Sequence, residues 1–171
     1  MKRLGYLLAL VAAPATAQQP CVTDREAQAF ASVAMPAIIR ETGRVCATTL
    51  PDKSLVRRQS SGFLAKYDAE ANRAWPTARA AIVKLSDPAI DVLLQSDYAR
   101  PLITSLLVPQ LVGRIALADC PTIDRLTTLL EPLPPANTAG IVVTTLKFLK
   151  AEKAKGRNVA VPDLPLCSGE R

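Results

Sequence analysis

The chain has 171 residues, 49% of them hydrophobic, with 21 lysines and arginines against 15 aspartates and glutamates and no histidine. Without histidine, Ser-His-Asp and Cys-His nucleophilic sites are excluded, as is every histidine-ligated metal. No glycine-rich loop of the phosphate-cradling kind is present, so the common nucleotide-binding motifs are excluded as well.

Met1-Lys2-Arg3 is a short positive stretch, and Leu4 to Ala13 (LGYLLALVAA) is apolar throughout. Pro14 breaks that stretch, and Ala15-Thr16-Ala17 supplies a small-x-small cleavage site. This order is that of a secretory signal peptide. A membrane span needs roughly 20 apolar residues, about twice what is here. Residues 1–17 are therefore expected to be a cleaved signal peptide, and residues 18–171 a single helical domain. No cysteine directly follows the cleavage site, so a lipid anchor is not expected. The expected product is a soluble periplasmic or secreted protein. Removal of Lys2 and Arg3 leaves 19 basic residues against 15 acidic ones, which lowers the net charge from +6 to about +4. That balance permits attraction to anionic lipid or polymer without requiring it.

Downstream, apolar residues recur at steps of three and four, and strand-like alternation is scarce. The pattern predicts an all-α fold, an irregular bundle of five to six helices with several prolines as kinks. A first helix is expected over about Asp24–Thr42. Thr23-Asp24-Arg25-Glu26 fits a capping box, Ala27, Phe30, Ala34 and Ile38 form one stripe, Pro36 is a kink and Gly43 a left-handed stop. Residues 47–60 read as an irregular segment. A second helix, about Ser61–Leu85, carries the stripe Phe63, Tyr67, Ala71, Ala74, Ala78, Ile82, Leu85 across Pro76. Ser86-Asp87-Pro88 starts a short helix to about Ser96. The next, about Tyr98–Leu117, holds Pro101 and Pro109, is apolar on most sides and is expected to be the buried central helix. Asp119-Cys120-Pro121 starts a helix to Leu130. Asn137 is expected to cap a last helix, about Thr138–Lys155, which Gly156 stops. Its run Ile141-Val142-Val143-Thr144-Thr145 favours a strand locally. The tail from Arg157 is expected to be extended.

Four cysteines, Cys21, Cys46, Cys120 and Cys167, lie beyond the cleavage site, at least 25 positions apart. In an oxidising compartment that spacing reads as two disulfides and not as a metal site or a redox pair. A first helix of about 19 residues is roughly 28 Å long, and disulfide partners need Cα atoms within about 7 Å. Cys21 and Cys46 flank opposite ends of that helix and so should not pair. Alternating helices favour Cys46–Cys120, and the tail then brings Cys167 to Cys21.

Few residues suggest chemistry. Lys147, Lys150, Lys153 and Arg157 form a basic helix end, read either as a face for an anionic partner or as a complement to the helix dipole. Trp75 beside Pro76 is a candidate pocket residue between kinked helices. Asp87 and Asp91, or Asp68 and Glu70, are the carboxylate pairs a histidine-free hydrolase would need, although Asp87 and Asp91 also suit a helix start. The leading expectation is a protein that binds an envelope protein or an anionic lipid or polymer, without catalysis and without a cofactor. The alternatives are a small-molecule or lipid carrier and the carboxylate hydrolase. Nucleic acid is not expected, because residues 18–171 hold only six aromatics. No membrane span is expected in the mature chain, and the sequence leaves its oligomeric state open.

Overall fold

The computed structural model describes residues 20–60 and 62–167, apart from the side chains of Gln110 and Leu111. The expected signal peptide, residues 1–17, therefore lies outside the described residues. Six α-helices are described: α1 (Asp24–Val45), α2 (Gly62–Leu85), α3 (Ile90–Leu94), α4 (Ala99–Val112), α5 (Cys120–Leu130) and α6 (Pro135–Ala154). A 3-10 turn, Leu117–Asp119, leads into α5. The one β-bridge among the described residues joins Val22 to Leu166. The all-α expectation holds.

The start of α1 is fixed as its sequence predicts. The Thr23 hydroxyl accepts from the Glu26 N–H, and the Glu26 carboxylate accepts from the Thr23 N–H at 2.8 Å. Both donors would otherwise lack an intrahelical partner. The end of α1 differs from expectation. The helix runs on to Val45, and Gly43 lies inside it with negative φ. The reason is space. A Cβ at Gly43 would sit 2.0 Å from the Val56 carbonyl oxygen. Glycine lets the 47–60 segment lie flat against the last turn of α1, and no left-handed stop is involved.

α1 is the centre of the bundle, with α2, α4 and α6 all packed on it. Its buried residues, Ala27, Ala29, Ser32, Val33, Pro36, Ile39, Thr42 and Gly43, lie on several sides of the helix, whereas Phe30, Ala34 and Ile38 are only half-buried. Small residues make the seams: Ala78, Ala81 and Ala139 are almost completely buried. Larger side chains gather beside them, with Ile39, Leu55, Phe63, Leu64 and Tyr67 in one cluster and Val22, Ala27 and Val143 in another. The Tyr67 hydroxyl lies 3.3 Å from the Thr138 hydroxyl, which satisfies both across the α2–α6 contact.

α4 is not the buried central helix its composition predicts. Among its described side chains only Ala99, Val108 and Val112 are buried, while Leu102, Leu106 and Leu107 are exposed. The alanine seams bring α1, α2 and α6 together and leave α4 a shallow seat on α1. α3 is shorter than expected. Asp87 accepts from the Ala89 N–H at 2.8 Å in a turn that precedes the helix. α6 starts at Pro135 and not at Thr138, so Asn137 sits in its first turn and is not its cap. Its β-branched run stays helical because tertiary packing overrides local preference, with Val143 buried against Val22 and Ala27; the Thr144 and Thr145 hydroxyls bond the carbonyls four residues back. Gly156 takes φ +84° and ends the helix as predicted.

Both disulfides pair as the helix lengths imply. Cys46–Cys120 has a Cα separation of 5.7 Å and Cys21–Cys167 one of 5.0 Å. The first ties α5 to the segment after α1, where Leu50 and Val56 are buried with it. The Ser54 hydroxyl donates to Asp124, and the Lys66 ammonium donates to the carbonyls of Glu131 and Leu133. These ties hold α5, which makes little other helix contact. The second disulfide lies beside the Val22–Leu166 bridge, where the Cys167 N–H donates to the Val22 carbonyl.

Candidate functional site

The basic helix end is mostly engaged within the molecule. Lys147 pairs with Asp24 at 2.7 Å, across the α1–α6 contact. Lys150 donates to the Leu164 carbonyl and so holds the tail. Arg157 bonds Glu152 at 2.7 Å, and Lys155 bonds the same carboxylate at 2.9 Å. Glu152 is buried, so its two cations serve it as counter-charges. Lys153 is exposed. Of the four residues expected on an anionic-partner face, three therefore have a structural partner.

Trp75 is half-buried against Ala29, Val33 and Ala78. An open cleft of about 420 Å³ lies beside it, lined by Pro76, Arg79, Ala80, Val83 and Asp91, and Trp75 is not among the lining residues. A second open cleft, lined by Arg40, Glu41, Gly43, Arg44, Ala47, Arg57 and Gln59, lies at the end of α1. Its three guanidiniums are paired with Asp68, Glu41 and Asp52, which leaves it electrically balanced.

The carboxylates are matched one by one. Asp68 pairs with Arg40 and Glu70 with Arg73. Asp91 accepts from Arg79 Nη2 at 2.7 Å and from Gln95. These bonds, the arginine's above all, hold its carboxyl below the usual range. The Arg44 guanidinium likewise lowers Glu41. Burial pushes Glu26 up, but the Lys84 ammonium and the Thr23 contacts outweigh it and lower its pKa overall. Neither cleft sets two carboxylates face to face.

The feature that stands out is apolar. Val92 and Leu93 of α3, Tyr98, and Leu102, Leu106 and Leu107 of α4 are between 54% and 81% exposed. Tyr98, Leu102 and Leu106 follow at four-residue steps and share a face. No charged residue occurs from Pro101 to Gly113. Single exposed leucines are ordinary, but a run of them along a helix with no charge beyond its first turn marks an interaction surface. Leu126 and Leu129 on α5, and Ile141 and Phe148 on α6, are exposed in pairs elsewhere. Composition pointed to α4 for the wrong reason: a helix apolar on most sides was expected inside the bundle.

The chain matches no protein-family model, no curated protein and no solved structure. Its own geometry is what bears on function. No helix among the described residues is long and apolar enough to cross a membrane.

Proposed function

We propose that this protein is exported and works by binding a protein partner through the α3–α4 surface. The observation that carries the reading is the set of large apolar side chains left exposed on Val92, Leu93, Tyr98, Leu102, Leu106 and Leu107, with no charge from Pro101 to Gly113. Leaving such side chains in water forfeits about 1.5–3 kcal/mol for each one that a partner would cover fully. Export is supported by the order of charge, apolar run and cleavage site at residues 1–17, and by two disulfides of the kind that persist in oxidising compartments.

A protein partner is favoured over an anionic lipid or polymer because Lys147, Lys150 and Arg157 already have partners in the fold. It is favoured over a small ligand because Trp75 packs among alanines and a valine and lines neither open cleft. The test is site-specific photo-crosslinking in the envelope fraction. A photoreactive residue at position 106 should capture protein, and Leu102→Glu should suppress that capture at least tenfold. Capture from position 153 alone, or capture indifferent to Leu102→Glu, would sink the proposal.

A further inference from the structure

From the area and end charges of this face we infer that its occupant is a second copy of the chain, with the two α4 helices antiparallel across a two-fold axis. The inference rests on reading α3–α4 as a protein-binding face. Covering an aliphatic side chain of this kind removes on the order of 100 Å² from water, and covering a tyrosine roughly 200 Å². Leu107 lies about 180° round α4 from Tyr98, so five of the six exposed side chains can share one face and offer on the order of 600 Å², the lower end of the roughly 600–1,000 Å² that each partner buries in a standard interface. The patch is therefore large enough for a stable dimer.

Charge selects the arrangement. A two-fold contact brings the same face to itself, so any charge in its middle would meet its own like. α4 has none between Pro101 and Gly113. Within α4 the one charged residue is Arg100, half-buried in the first turn with its guanidinium on the Asn72 side-chain carbonyl of α2, so the charges open to a partner lie at the two ends. Asp97 precedes the helix, Arg114 follows it, and both are exposed. Over 14 residues, about 21 Å, an antiparallel pair sets Asp97 of one copy beside the Arg114 end of the other, twice by symmetry. A parallel pair would set like beside like. The apolar stripe thus supplies the contact and the end charges set its direction and register.

Sedimentation of the purified, oxidised mature chain tests this. The wild type should be a dimer at micromolar concentration. Leu102→Glu/Leu106→Glu should be a monomer with unchanged circular dichroism, since both side chains are exposed. Arg114→Asp should weaken the dimer at least tenfold, and adding Asp97→Arg should restore it. Phe148→Glu, an exposed change on α6, should leave it intact. A wild-type monomer up to millimolar concentration overturns the inference. So does a dimer indifferent to the α4 changes, or a charge swap that fails to restore it. If the pure chain is a monomer while position 106 still captures a different protein in the envelope, the second copy is wrong and the protein-binding reading stands.

Discussion

Gly43 shows how one missing side chain shapes a site. With no Cβ, α1 and the Val56 carbonyl come together, and Leu50, Leu55 and Val56 are buried beneath the segment. Gly43→Ala must push backbone away from backbone, since no flexible side chain can yield. It should cost about 1–3 kcal/mol, as overpacking does, and a urea melt would read this as a lower midpoint. An ordinary helix-interior glycine would gain stability from the same change, by about 0.5–1 kcal/mol. The sign of the shift therefore separates close approach from mere flexibility. From the sequence, Gly43 reads as a helix stop, because the position of Val56 is a tertiary fact that no local pattern carries.

The helices were legible where local chemistry decides them. Thr23 and Glu26 mark the start of α1, Gly156 marks the end of α6, and the stripe through Phe63, Tyr67, Ala71 and Ala78 marks the inner side of α2. The disulfide pairing was legible too, since helix length separates Cys21 from Cys46 and alternation of the helices brings Cys46 to Cys120. What was not legible is how α4 sits. Its composition says apolar on most sides, which in a lone chain means buried. Whether a helix finds a seat inside depends on how closely its neighbours pack, and here alanines close the gap between α1, α2 and α6. The candidate surface was thus visible as a run of residues and invisible as a surface. α5 makes the opposite point: it has few packing contacts and depends on its ties. Replacing Cys46 and Cys120 by serine opens a loop with a sequence separation of 74, and the chain-entropy model puts the loss at about 4–5 kcal/mol. Hydrogen exchange should quicken first in α5 and in residues 47–58, with α1 and α2 still protected. Uniform loss of protection would mean that α5 is integral to the core.

At the scale of the whole molecule, acid stability follows from the paired carboxylates. Glu26, Glu41 and Asp91 all have native pKa values below the ordinary range. A lowered native value contributes stability that is complete above the unfolded pKa, about 4, and drains away as pH falls through the native one. With no histidine in the chain, no side chain has an ordinary pKa between about 5 and 8. The melting temperature should stay flat over that window and fall below about pH 4. Glu26→Gln should be less stable than wild type at neutral pH, and the gap should narrow in acid. A gap constant with pH would mean that the charge of Glu26 contributes nothing.

The bond between Cys21 and Cys167 closes residues 22–166 into one covalent ring, and the bond between Cys46 and Cys120 lays a chord across it. A ring survives a single break. A protease that nicks any one surface turn inside this ring, such as the one at residues 86–89, converts a chain into two fragments that still travel as one molecule, until a reductant lets them part.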